Sequence, residues 1–92
     1  MSVRFTALFS KQIEEALSYV RDRSPSGADS LSQRITEALE LLNDQPRSGR
    51  PTTKKSIHRL RLSSYPYVIF YRIVGDDALV LRFVHAKRRT AR

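Results

Sequence analysis

Arginine alternates with large apolar residues in the last third of the chain, and these cations are the side chains best suited to chemistry in this sequence. Arg59 and Arg61 flank Leu60, and Arg72 and Arg82 lie in two later apolar runs. A guanidinium is permanently charged, and its planar fork of donors fits carboxylates and phosphates. Because a guanidinium does not give up its proton in a protein, it is a poor proton shuttle. The pattern therefore predicts a surface that binds anions.

Other reactive side chains are scarce. The sequence has no cysteine, which excludes disulfides, thiolate zinc sites and cysteine nucleophiles. The two histidines are His58 and His85, and the parity of each places it with apolar neighbours on the inner side of a strand, where a structural role is expected. We therefore predict no catalytic residue, no metal, no cofactor and no small-molecule substrate.

The positive charge is concentrated in the second half of the chain. The formal net charge is +8, yet residues 1–46 hold five Lys or Arg against seven Asp or Glu, whereas residues 47–92 hold twelve against two. A field of this density attracts polyanions such as nucleic acid, an acidic protein surface or anionic lipid. No apolar run approaches the roughly 20 residues of a membrane span, so we expect a globular cytoplasmic protein without a membrane partner.

The first half of the chain predicts one strand and two helices. Residues 3–9 alternate as in a short strand, and Ser10 is placed to cap a helix over residues 11–21. Ser24, followed by a proline, opens a second helix of about 20 residues. Because few residues separate the two helices, they are expected to form an antiparallel hairpin.

The second half predicts a meander of three strands. Residues 45–56 are too rich in proline and basic residues to continue a helix or a central strand, and they form a connector. The strands are predicted at residues 57–62, 67–74 and 78–85. The expected fold is α+β in one domain, residues 1–92, with the N-terminal strand and the helix hairpin packed on one face of a three- to four-stranded antiparallel sheet.

The turn between the last two strands decides which side chains share a face. A three-residue turn pairs Val74 with Ala78, whereas a two-residue turn places Arg82 in the helix-covered layer, where an unpaired guanidinium is costly. We therefore predict the three-residue turn, with Leu79 and Leu81 facing the helices. The opposite face then carries the predicted groove residues, which are Arg59, Arg61, Val68, Phe70, Arg72, Val80, Arg82 and Val84.

Two interpretations of this second face compete. Arginines can merely keep the open face of an antiparallel sheet soluble, and for a single arginine this explanation suffices. Four arginines with no acid among them, interleaved with exposed apolar side chains, instead favour a docking groove. Such a groove complements a helix or strand that bears Leu or Val together with Glu or Asp.

Three short motifs follow one another in the second half of the chain. They are Pro46, Gly49 and Arg50; then Tyr67, Ile69 and Tyr71; and finally Val84, His85, Arg88 and Arg89. In this order they resemble the ParE branch of the RelE/ParE toxin superfamily, whose members carry a Pro-x-x-Gly-Arg turn, a Tyr-x-Ile/Val-x-Tyr strand and a basic end with valine and histidine. The resemblance covers nearly the whole chain.

The resemblance implies the toxin of a bacterial type II toxin–antitoxin pair that inhibits DNA gyrase. Its partner would be a ParD-like antitoxin, whose acidic, amphipathic C-terminal segment wraps the toxin. The RelE-like branch instead cleaves mRNA in the ribosome. Val68 stands where that branch commonly has an arginine, and the chain ends without that branch's late tyrosine, which favours gyrase.

Two further points stay open at the level of sequence. A small basic nucleic-acid-binding module without toxicity is a third alternative. The terminal cations are either a solvated end or contacts with the target, and as target contacts the candidates are Lys87, Arg88, Arg89 and Arg92.

Overall fold

The computed structural model describes residues 3–54 and 56–86, which form two helices and one sheet. The elements in chain order are β1 (Val3–Phe5), α1 (Ala7–Arg23), α2 (Pro25–Asp44), β2 (Arg50–Pro51), β3 (Ile57–Arg61), β4 (Tyr67–Val74) and β5 (Asp77–His85). The strands are ordered β1-β5-β4-β3-β2, and both helices pack on one side of them. The predicted α+β fold is therefore confirmed. We call the covered side of the sheet the helix face and the other side the open face.

The sheet formed by the described residues has five strands, which is more than the three or four predicted. The additional strand β2 pairs antiparallel with β3, and β1 runs parallel to β5, with Val3 opposite Ala78. Both of these strands are edge strands of two or three residues. β1 lies within the strand predicted at residues 3–9, whereas β2 is too short for apolar alternation to reveal it. Pro51 is compatible with β2 because an edge strand does not need every backbone donor.

Helix α1 begins four residues earlier than predicted. Thr6, not Ser10, is the N-cap, because its Oγ1 accepts a hydrogen bond of 3.1 Å from the amide of Phe9. The same hydroxyl donates to the carbonyl of Leu81 at 2.9 Å, which ties the start of the helix to β5. The alternation beyond Phe5 continues into the first turn of the helix, which contains Phe9. The rings of Phe5, at the end of β1, and Phe9 have centroids 5.6 Å apart.

Ser24 alone links the two helices, as both a C-cap and an N-cap. Its amide donates to the carbonyl of Val20 at 2.7 Å, and its Oγ accepts from the amide of Gly27 at 3.0 Å. Pro25 occupies the first position of α2, as the Ser-Pro pair predicted. Neither helix among the described residues is long and apolar enough to cross a membrane.

The hairpin of β4 and β5 contains a register shift that the sequence does not reveal. Near the turn Val74 lies opposite Asp77 and Tyr71 opposite Val80, whereas beyond a β-bulge Phe70 lies opposite Arg82. Leu81 is thus the extra residue of the bulge. The turn has two central residues, not the predicted three, and the predicted pairing holds only from Arg82 onward.

This shift changes the composition of the core. Val80 is fully buried on the helix face, with Ala78 and Phe83 beside it. The expectation that Val80 lies in the groove is therefore wrong. The assignment of Leu79 and Leu81 to the helix-covered layer is also wrong, because Leu79 pairs with Arg72 on the open face and Leu81 lines a groove on that face. The helix face is completed by the odd-numbered residues of β4, of which Ile69 and Tyr71 are fully buried.

Truncation of two valines tests this register. Val80→Ala removes two methyl groups from a fully buried position, so the free energy of unfolding should fall by about 2 kcal/mol. Val74→Ala makes the same change in a residue that is 54% exposed, and its cost should stay below about 1 kcal/mol. Urea unfolding followed by circular dichroism measures both, and equal losses would contradict the bulged register.

Candidate binding groove on the open face of the sheet

Three arginines and a phenylalanine form one row across four strands of the open face. Arg50 of β2 lies opposite Arg59 of β3, Arg59 opposite Phe70 of β4, and Phe70 opposite Arg82 of β5. Neighbouring strands are about 4.8 Å apart, so the row spans roughly 14 Å. Because side chains directly opposite one another share a face, the row presents three guanidinium groups and one aromatic ring to the same side.

A groove of about 860 Å³ follows this row. We call it the arginine groove, and its lining residues are Arg50, Pro51, Thr52, Thr53, Lys54, Ile57, Arg59, Phe70, Leu81 and Arg82. The connector supplies its outer wall through a tight hairpin between β2 and β3, in which the amide of Thr52 donates to the carbonyl of Ile57 at 2.9 Å. The Thr52 hydroxyl also accepts from the amide of Lys54 at 3.1 Å, which fixes the backbone of that lysine at the rim.

The described residues that line the groove include cations but no anions to balance them. Within the described residues, no ion pair involves Arg50, Arg59 or Arg82; the two pairs that occur are Arg4 with Asp77 and Arg34 with Glu37. Like charges placed directly opposite each other destabilise a sheet, and Arg50 faces Arg59 in this way. An anionic ligand would relieve this repulsion, so the groove is suited to a partner that carries carboxylates or phosphates.

The predicted groove residues divide into three groups. Arg59, Phe70 and Arg82 line the groove. Arg61 and Arg72 are exposed on the same face, in the rows on either side. Arg72 and Arg82 therefore point to the same side of the sheet, as the groove hypothesis required.

Three predicted valines contribute less than expected, because they lie elsewhere or are covered. Val80 lies under the helices, as described above. Val68 shares the open face with Arg61, but it is only 2% exposed and offers a partner almost no surface. Val84 is partly buried and lines a second cleft, between α1 and the end of β5. The terminal candidates Lys87, Arg88, Arg89 and Arg92 lie outside the described residues.

Sequence reasoning missed two cations of the groove, Arg50 and Lys54. Both belong to the connector, whose prolines argued against a strand. The available signal was the clustering of basic residues immediately before a strand that carries arginines at alternate positions. A short hairpin between the two segments brings both sets of charges to one face.

The two histidines lie away from the groove, on the helix face as predicted. The ring of His58 stacks on Tyr71 with centroids 5.5 Å apart, and its Nδ1 is buried with no hydrogen-bond partner among the described residues. His85 lies opposite Tyr67, with the two rings edge to face. No group of three or more potential metal ligands occurs within the described ranges.

Tyr71 connects the core to the connector that precedes the groove. Its buried hydroxyl donates to the carbonyl of Pro46 at 2.7 Å and accepts from the amide of Gly49 at 2.9 Å. Burial raises the pKa of this phenol above its ordinary value of 10.0, and the hydrogen bond from Gly49 opposes that shift in part. The motif that contains Pro46 and Gly49 and the motif that contains Tyr71 are therefore joined at the Tyr71 hydroxyl.

Comparison with known proteins assigns this arrangement to a family. Residues 3–90 match the family described as "ParE toxin of type II toxin-antitoxin system, parDE". The chain is 33% identical over 87 residues to "Putative toxin Y4kP" of Sinorhizobium fredii, an alignment that covers 95% of this chain and 90% of the relative.

Solved structures share the fold. A chain of the chromosomal ParDE system from P. aeruginosa superposes with a TM-score of 0.83 at 22% identity, covering 92% of this chain and 95% of that one. A chain of the RelBE2 toxin-antitoxin complex from Mycobacterium tuberculosis gives 0.64 at 21% identity, with coverage of 91% and 88%. At these identities the likeness concerns the fold alone.

The raised pKa of Tyr71 predicts a loss of stability at alkaline pH. Above about pH 10 the unfolded chain releases the phenolic proton while the folded chain retains it, so the free energy of unfolding falls as pH rises. Below that pH the contribution is fully present. Urea unfolding at about pH 8 and about pH 11 should show a smaller alkaline drop for Tyr71→Phe than for the wild type. Tyr65→Phe, which alters another tyrosine packed on the same core, should keep the full drop; a full drop in Tyr71→Phe would contradict the assignment.

Proposed function

Because the chain belongs to the ParE toxin family of type II toxin–antitoxin systems, we propose that it inhibits bacterial DNA gyrase through protein contact and that a ParD-like antitoxin neutralises it. Gyrase acts on DNA in the cytoplasm, which would place the toxin in that compartment. The observation that carries the proposal is the arginine groove, whose row of cations suits binding and offers little for acid–base chemistry.

The groove has the chemistry expected of a surface for an acidic, amphipathic segment. Its guanidinium groups provide forked donors for carboxylates, and Ile57, Phe70 and Leu81 provide apolar surface between them. A segment that alternates Leu or Val with Glu or Asp would satisfy both kinds of surface. Its charge would also neutralise the repulsion between Arg50 and Arg59.

The content of the groove supports contact rather than RNA cleavage. Cleavage by attack of a 2′-hydroxyl needs a base, an acid and a cation aimed at the phosphate. The described residues that line the groove supply cations and two threonines, but no imidazole, phenol or carboxylate. Both histidines are on the helix face, and the family resemblance places Val68 where the RNase branch commonly has an arginine.

Two assays with the purified protein test the proposed target. We expect inhibition of gyrase supercoiling and no new cuts in mRNA on translating ribosomes, as mapped by primer extension. Site-specific mRNA cuts with normal supercoiling would establish the RelE-like alternative instead. Harmless expression without a partner, together with tight duplex binding in a gel-shift assay, would establish the nucleic-acid-binding module.

Charge reversal tests the groove as the site of an acidic partner. The probe is a labelled peptide of leucine and glutamate with leucine at helical spacing, and its control replaces every glutamate with glutamine. Arg59→Glu or Arg82→Glu should lower the affinity for the acidic peptide by about tenfold or more, and the remaining binding should depend less on salt.

Arg21→Glu is the matched control, because it changes the net charge equally at an exposed site on α1. It should leave the affinity nearly unchanged. Equal losses in all three variants would mean that overall charge, not the groove, governs binding. Equal affinity of the wild type for the two peptides would remove the electrostatic basis of the proposal.

A further inference from the structure

Arg50, at the outer end of the arginine row, is held in place only weakly by the strand to which it belongs. Arg50 belongs to β2, which has two residues, and the second of them, Pro51, has no amide proton to donate. Its neighbour across the strands is Arg59, a like charge. Something outside the β2–β3 ladder must therefore hold Arg50 in the row.

Gly49 shows what holds it. A Cβ atom at this position would lie 2.5 Å from the Tyr71 hydroxyl and 2.6 Å from the carbonyl oxygen of Arg59. The backbone just before Arg50 is thus wedged between a buried phenol and the main chain of β3. A side chain here would force the strands apart, because a carbonyl of a paired strand cannot move aside as a flexible side chain can.

The Tyr71 hydroxyl fixes both ends of the turn that leads to β2. It donates to the carbonyl of Pro46 and accepts from the amide of Gly49, and it has no freedom to move because Tyr71 is fully buried in the middle of β4. This turn, which is the first part of the connector, is therefore anchored to the core. Arg50 is the next residue along the chain.

We propose that Tyr71 is a positioning residue for the arginine groove: through Gly49 it holds Arg50 beside Arg59, and so sets the affinity for an acidic peptide segment that it never touches. The inference rests on the proposed function of the groove. It adds a determinant that lies on the opposite face of the sheet, behind the residues that meet the partner.

A double-mutant cycle tests the coupling, with the acidic leucine–glutamate peptide as the probe. Tyr71→Phe keeps the ring and removes only the hydroxyl, and it should lower the peptide affinity by about the same factor as Arg50→Ala. If Tyr71 acts through Arg50, the double variant should bind no more weakly than Arg50→Ala alone. Losses that multiply, or an unchanged affinity in Tyr71→Phe, would overturn the proposal.

Amide hydrogen exchange of the free protein tests the positioning without any ligand. The Gly49 amide should exchange roughly three- to tenfold faster in Tyr71→Phe, whereas Tyr65→Phe should leave its rate unchanged. Gly49→Ala provides a second variant, which displaces Arg50 while the hydroxyl remains, and it should reproduce the loss of affinity. If the Gly49 amide exchanges at an unchanged rate in Tyr71→Phe, the positioning role of Tyr71 is refuted, but the proposed function of the groove is not. If the wild type fails to bind the peptide, the groove does not take an acidic segment, and the proposed effect of Tyr71 on peptide affinity is refuted as well.

Discussion

The β-bulge in β5 is the constraint on which both faces of the sheet depend. The two-residue turn sets an initial register that, if continued, would bring Arg82 under the helices as a buried cation without a partner. Leu81 is the extra residue that shifts the pairing by one position. Val80 and Phe83 can then both pack against the helices, while Arg82 faces Phe70 on the open side. One inserted residue thus keeps the core apolar and completes the row of cations.

Periodicity predicted the long elements because each has a continuous face to bury. Helix α2 and strand β4 were predicted closely, since their apolar residues repeat over 20 and eight residues respectively. The parity of Arg59 and Arg72 placed them correctly on the open face for the same reason. Val80 was misplaced because a bulge leaves no mark in the alternation, and Arg50 was missed because a two-residue strand has no period to detect. The face on which such a residue lies depends on its pairing partner in the neighbouring strand and not on its residue type.

The two faces of the molecule have opposite effects on its stability. The helix face gains from the packing of aromatic and aliphatic side chains, such as Tyr67 stacked on Phe83 with centroids 4.8 Å apart. The open face is destabilised by the repulsion between Arg50 and Arg59, which lie directly opposite each other. An acidic partner would remove that loss on binding, and mass action would then make the complex more stable than the free toxin. The repulsion between Arg50 and Arg59 therefore persists in the free protein until an anionic partner binds.

The short edge strands have a consequence for the behaviour of the protein at high concentration. β2 ends in a proline, and β1 covers β5 only as far as Val80. Beyond Val80, the Thr6 hydroxyl donates a hydrogen bond of 2.9 Å to the Leu81 carbonyl. The Phe83 amide donates one of 2.8 Å to the side-chain oxygen of Gln12. Within residues 3–54 and 56–86, then, neither border gives a second copy a long row of unpaired peptide groups to extend. A toxin released from its partner should remain dispersed instead of growing into fibrils.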